Sequence, residues 1–299
     1  MHDPIMTARI VAGAGFIAAL DQSGGSTPKA LRNYGIGDEA WDGEEEMFRL
    51  IHQMRARIVT APAFDGRRII GAILFEKTMD GEADDRPVPE LLRQRGVVPF
   101  LKVDKGLEDE ADGVQMMKPM PEFDSMLARA KEKGVFGTKM RSVIHGASRN
   151  GIAANVGQQF EIAGRILDAG LMPIVEPEVS LKSPERGAAD HILKEEIEEA
   201  LDKLSGDRRV MLKLSIPEEP NLYAPIIAHP RVARVVALSG GFSRDEACRE
   251  LAKNVGMVAS FSRALLEDLR HDMDDAAFDR ALAAAIDEIY QASTVKEMA

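Results

Sequence analysis

The chain has 299 residues, 45% of them hydrophobic, a formal net charge of −11 at pH 7 and a single cysteine, Cys248. That length can bury a sizeable core, and the acidic balance argues against a general binder of nucleic acid or anionic membrane. One cysteine excludes an internal disulfide, no apolar run approaches the roughly 20 residues that span a bilayer, and Met1-His2-Asp3-Pro4 lacks the basic-then-apolar pattern of a signal peptide, so a cytoplasmic setting is expected.

In chain order, the apolar runs share one habit: polar residues gather at or beyond their C-terminal ends. Phe16–Leu20 leads to Asp21. A helical pattern over Glu44–Val59 follows, then the apolar run Ile69–Phe75 ending at Glu76. Pro99-Phe100-Leu101 leads to Lys102, Val103 and Asp104. Glu122–Lys133 reads as a helix stopped by Gly134. Gly137-Thr138 leads to Lys139 and Arg141, then Val143-Ile144. Asn155–Ala169 carries Phe160, Ala163, Ile166 and Leu167 at helical spacing, with Gly170 as the stop. Met172–Val175 leads to Glu176-Pro177-Glu178, and Gly187–Leu204 is a further amphipathic helix. Val210–Ile216 holds Lys213 at its centre. Arg234–Leu238 leads to Ser239-Gly240-Gly241, and Ser243–Glu246 is a capping box opening the next helix, which Gly256 stops. Val258–Phe261 leads to Ser262 and Arg263, and Asp275–Ser293 is a long final helix. Strands alternating with helices over this length, with no linker, predict an α/β fold: a single (β/α)8 TIM barrel forming one catalytic domain over residues 1–299.

Lys213 is the most informative residue. Burying an unpaired ammonium costs several kcal/mol, so such a lysine either snorkels to solvent or has a task. A desolvated lysine near other cations loses its proton more easily and can attack a carbonyl. Side chains two apart share a strand face, which pairs Lys139 with Arg141, Glu176 with Glu178 and Lys102 with Asp104. The six histidines show no ligand spacing, so neither a metal nor another cofactor is expected.

The segments AALDQSGGS, ILFEKTMD with ADDRPVP, LKVDKG, GTKMRSV, MPIVEPEV, MLKL, LSGG and FSRAL stand in an order that resembles class I fructose-1,6-bisphosphate aldolases, in their compact bacterial form, from about Phe16 to Leu265. The resemblance implies a metal-independent aldehyde-lyase of glycolysis or gluconeogenesis. In it Lys213 forms a Schiff base with the ketose, Glu176 is the main acid/base with Glu178 as companion, and Lys139 and Arg141 are the basic pair beside it. Asp21 handles the sugar C4 hydroxyl. Ser23, Ser26 and Lys102 match the groups around the 6-phosphate, and Ser239, Gly240, Gly241, Ser262 and Arg263 those around the 1-phosphate. The partner implied is a sugar bisphosphate, with no nucleic acid and no membrane; homo-oligomerisation is open. A related Schiff-base aldolase for tagatose 1,6-bisphosphate or sedoheptulose 1,7-bisphosphate, and a non-catalytic sugar-phosphate-binding scaffold, are the alternatives. Several positions depart from the animal pattern. Gln22 replaces a carboxylate, and Met140 replaces a tryptophan. Phe261–Leu265 is shortened by a phosphate-loop glycine, and the chain ends Lys296-Glu297-Met298-Ala299 without a terminal tyrosine, Tyr290 lying in a predicted helix.

Overall fold

Runs that are apolar on both faces suit strands buried between a barrel interior and a helical shell. They form β1 (Phe16–Leu20), β2 (Ile69–Leu74), β3 (Val98–Lys102), β4 (Gly137–Ile144), β5 (Met172–Val179), β6 (Val210–Ser215), β7 (Val232–Leu238) and β8 (Val258–Ala259). Our computed structural model describes residues 3–297; the sequence readings at Met1-His2 and Met298-Ala299 lie outside that range. The strands are hydrogen-bonded in chain order and all parallel. The ring closes where the Ala19 amide donates to the Phe261 carbonyl at 3.1 Å. The α/β, (β/α)8 TIM-barrel expectation is met, although β8 keeps only the first half of its predicted run.

The helices are α1 (Pro4–Ala12), α2 (Ser26–Tyr34), α3 (Gly43–Thr60), α4 (Glu76–Asp80), α5 (Val88–Gln94), α6 (Phe123–Glu132), α7 (Arg149–Asp168), α8 (Arg186–Asp202), α9 (Ala224–Ala228), α10 (Arg244–Ala252), α11 (Arg263–Leu266) and α12 (Asp275–Thr294). Outward-facing strand residues and the helices share one large apolar cluster. Inward-facing residues, among them Ile17, Ala19, Ile73, Phe100, Ile174, Met211 and Val236, fill the barrel as a second cluster, as expected for a packed barrel and not a pore.

Helix α1 was not anticipated. Asp3 caps it, its Oδ1 accepting from the Ile5 and Met6 amides at 2.8 and 3.0 Å, and Pro4 takes the first turn, where its missing N–H costs nothing. Its Ile10 is fully buried in the inner cluster, close to Gly71 near the start of β2. Helix α1 therefore plugs the N-terminal floor and leaves the C-terminal mouth for chemistry.

Candidate active site

Each strand delivers its polar residue where its apolar run ends, so the side chains converge on a cavity of about 1230 Å³ at the C-terminal ends of the strands. Every candidate from the sequence lines it: Asp21, Ser23, Ser26, Lys102, Lys139, Arg141, Glu176, Glu178, Lys213, Ser239, Gly240, Gly241, Ser262 and Arg263.

The floor of the cavity is a buried charge cluster. Lys139 (2% exposed), Glu176 (3%), Lys213 (4%) and Asp21 (8%) come from β4, β5, β6 and the end of β1. The Lys139 ammonium stands 2.6 Å from Asp21 Oδ2 and 2.9 Å from Glu176 Oε2. The other Glu176 oxygen, Oε1, is 3.1 Å from Lys213 Nζ. Burial by itself would raise the Asp21 carboxyl, but the Lys139 and Lys213 charges reverse that and hold it well below the usual carboxylate range. Glu176 is lowered against the same burial penalty, again by Lys139 and then Lys213. Burial would likewise lower Lys139, yet Asp21 and Glu176 together push it well above an ordinary lysine. Lys139 is thus fixed as a cation between two anions, whereas Lys213 meets one carboxylate from one side.

A second tier lies nearer the rim. Arg141 Nε donates to Glu178 Oε2 at 2.5 Å, and its backbone amide to Asp104 Oδ2 at 3.2 Å. Lys102 Nζ donates to Asp104 Oδ1 at 2.6 Å. Arg141 works against its burial and is raised by Glu178. Asp104, which sequence reasoning used only as the strand partner of Lys102, ties β3 to β4 here.

Two glycine-containing turns flank the cluster. Ser26 Oγ accepts from the Ser23 amide at 3.0 Å and donates to the Ser23 carbonyl at 2.9 Å, folding Ser23–Ser26 into the start of α2. Opposite, Gly240 (φ 59°) and Gly241 (φ 136°) adopt the left-handed region that side chains avoid. A Cβ on Gly240 would also come within 2.7 Å of Leu181. Despite the shortened segment, the Arg263 guanidinium reaches this turn: a Cβ on Gly241 would sit 3.7 Å from its Nη2. Sequence reasoning missed Ser260, which is 1% exposed, lines the cavity and has an Oγ with no hydrogen-bond partner among the described residues. The alternation Val258, Ser260, Ser262 along the β8 segment was the available signal.

Among the described residues, no group of three or more His, Cys, Asp or Glu is placed to hold a metal ion, and no helix is long and apolar enough to cross a membrane. Burial, with Glu288 second, pushes the Cys248 thiol up to about 12, in keeping with a small core residue of α10.

A buried amine among carboxylates at the mouth of a (β/α)8 barrel is the layout of an aldolase that works through a Schiff base. The chain belongs to the class-I fructose-bisphosphate aldolase family, whose model matches residues 5–216. That stretch includes every candidate from Asp21 to Lys213; Ser239–Gly241, Ser262 and Arg263 lie beyond it. Solved structures share the fold. Fructose-bisphosphate aldolase from Plasmodium falciparum, solved with TRAP and a small-molecule inhibitor, superposes with a TM-score of 0.77 at 21% identity, over 98% of this chain and 95% of that one. A Corynebacterium glutamicum protein gives 0.56 at 15% identity, over 97% and 92%. A Schiff-base-forming fructose-1,6-bisphosphate aldolase gives 0.51 at 15% identity, over 94% and 98%.

Proposed function

We propose that the protein cleaves fructose 1,6-bisphosphate reversibly to dihydroxyacetone phosphate and glyceraldehyde 3-phosphate, with Lys213 as the covalent nucleophile. One observation carries this reading. Of the two buried lysines, Lys139 is clamped between Asp21 and Glu176, while Lys213 makes one ion pair among the described residues, with Glu176 at 3.1 Å. Lys139 is therefore the fixed charge and Lys213 the amine free to react.

In this reading the neutral amine of Lys213 attacks C2 of the open-chain ketose, and Glu176 moves the protons as the carbinolamine loses water. The iminium then draws the electrons of the C3–C4 bond, leaving an enamine in place of a naked carbanion. Asp21 accepts the C4 hydroxyl proton and glyceraldehyde 3-phosphate departs. Protonation and hydrolysis of the enamine release dihydroxyacetone phosphate and regenerate Lys213. Lys139 offers a permanent positive charge beside the reacting carbons. Ser23, Ser26 and Lys102 are assigned to one phosphate, and Ser239, Gly240, Gly241, Ser262 and Arg263 to the other. Backbone amides in glycine turns, hydroxyls and the Arg263 guanidinium, which has no ion-pair partner among the described residues, suit anions.

Borohydride reduction in the presence of dihydroxyacetone phosphate tests the reading: the added mass should map to the peptide holding Lys213. Labelling at Lys139 or Lys102 instead would overturn it. Cleavage rates on fructose 1,6-, tagatose 1,6- and sedoheptulose 1,7-bisphosphate, measured side by side, decide the substrate.

A further inference from the structure

Arg55 of α3 is a charged side chain with no exposed surface. Among the described residues no carboxylate forms an ion pair with it, and burial pulls its guanidinium down to about 10, which the nearby Asp21 charge only partly offsets. Burying a guanidinium without a counter-ion is expensive, so its contacts are informative. Nη1 donates to Thr78 Oγ1 at 2.9 Å, and Nη2 donates to both the backbone carbonyl and the side-chain Oε1 of Gln22, the latter at 3.1 Å. Gln22 directly follows Asp21. Its Nε2 lies 2.7 Å from Ser262 Oγ, across the seam between β1 and β8.

The hydrogen-bond directions in this chain are forced. A guanidinium has donors only, so the Gln22 atom facing it is the carbonyl oxygen, which fixes the orientation of the amide. The amide nitrogen then faces Ser262 and is itself only a donor, so Ser262 Oγ accepts. Its own hydrogen is left to donate elsewhere. Among the described residues it has no acceptor, and Ser262 lines the cavity next to Arg263.

We infer that Arg55 is a positioning residue: acting through the neutral amide of Gln22, it aims the Ser262 hydroxyl hydrogen into the cavity as an anion donor beside Arg263, and through the Gln22 carbonyl it pins the turn that carries Asp21. That the anion is a sugar phosphate rests on the aldolase reading above. The proposal explains why residue 22 is an amide. A carboxylate there would satisfy Arg55 equally well, but it offers acceptors alone. Ser262 would have to turn its hydrogen inward and present lone pairs to the phosphate.

The decisive variant is Gln22→Glu, which keeps shape and gives Arg55 a partner, so the fold should persist; thermal unfolding checks that. The probe is a reduced, non-cleavable hexitol 1,6-bisphosphate titrated by calorimetry. Gln22→Glu should weaken binding roughly tenfold, and Ser262→Ala by a similar factor, each having lost a hydrogen bond to a charged group. In the Ser262→Ala background, adding Gln22→Glu should cost little more, because the hydroxyl it misdirects is already gone. Unchanged binding by Gln22→Glu would overturn the proposal. So would a full second loss in the double variant, since that marks plain charge repulsion without any hydroxyl orientation. Borohydride trapping of the wild-type protein separates the two readings: no adduct at Lys213 sinks the aldolase assignment, whereas a normal adduct with unaltered Gln22→Glu binding sinks this inference alone.

Discussion

Glu176 touches both buried lysines, and each of its oxygens has a different partner: Oε2 faces the cation Lys139 and Oε1 faces Lys213. Removing its titratable group while keeping its shape isolates proton transfer. Glu176→Gln should slow turnover by roughly 10²–10⁴-fold, the usual worth of general acid–base catalysis. Glu178, engaged by Arg141, should act only through positioning, so Glu178→Gln should lose less; measured turnover in the reverse order would exchange the two roles. Lys139 should govern the pH dependence. Because its charge lowers Asp21 and Glu176, their ionised forms stabilise the fold above the ordinary carboxylate range, and that contribution is lost as pH falls through their depressed values. Lys139→Met leaves two carboxylates facing each other, so both should rise and the acid limb of the rate profile should move to higher pH. A limb that stays in place would show that neither carboxylate controls the rate. The pairs Lys139/Arg141 and Glu176/Glu178 were legible in sequence because strand spacing alone puts them on one face. The contact of Lys139 with Asp21 was not, since it depends on closure of the ring across strands that do not adjoin in the sheet.

Among the elements, those missed or misplaced have local causes. Helix α7 begins at Arg149, six positions before the predicted Asn155, and takes in Gly151, a poor helix former. It is tolerated for packing: a Cβ there would lie 2.1 Å from the Asp112 carbonyl oxygen, and Ser148 Oγ caps the Gly151 amide at 3.2 Å. Helix α8 stops at Asp202, leaving Leu204 outside it. Asp112-Gly113, both with positive φ, turns a tight hairpin that pairs Ala111 with Val114, and Val114–Gln115 in turn pairs antiparallel with the end of β4; the Asp-Gly dipeptide was a readable signal. Helix α8 also carries a pH-sensitive anchor. Asp190 accepts from the Tyr223 hydroxyl at 3.1 Å and the Glu218 amide at 3.3 Å, and Arg186 Nε stands 4.0 Å away. Burial nonetheless pushes Asp190 up to about 6. A carboxyl raised on folding contributes stability that is complete below its unfolded value and lost as pH rises through its folded one. Stability should therefore fall by up to about 3 kcal/mol between pH 4 and 7 from this group. Tyr223→Phe removes a hydrogen bond to the ionised form, so the Asp190 midpoint should move above 6, as read by carboxyl carbon NMR. A downward move would contradict the account.

At the scale of the whole molecule, the alternation of apolar runs with amphipathic helices made the barrel legible, and the polar run-ends pointed to the mouth where the candidate residues gather. The opposite end was invisible in the sequence, because α1 lies before the first strand and its nine residues are too few for a clear periodicity. The two ends should separate experimentally. Ile10 is fully buried in the inner cluster near the start of β2, whereas Lys213, Glu176 and Asp21 lie at the other end of the same interior. Ile10→Ala removes buried apolar volume and leaves a cavity, a change that costs about 2–5 kcal/mol in well-packed cores. The denaturant midpoint should fall by a corresponding amount. The charge cluster is held by its own ion pairs and by the C-terminal ends of strands β1 and β4 to β6, away from the floor on which α1 packs. Below the new midpoint, the rate of Lys213 adduct formation with dihydroxyacetone phosphate should therefore match the wild-type rate. Equal losses in stability and adduct formation would show that the floor and the mouth are mechanically coupled through the inner cluster.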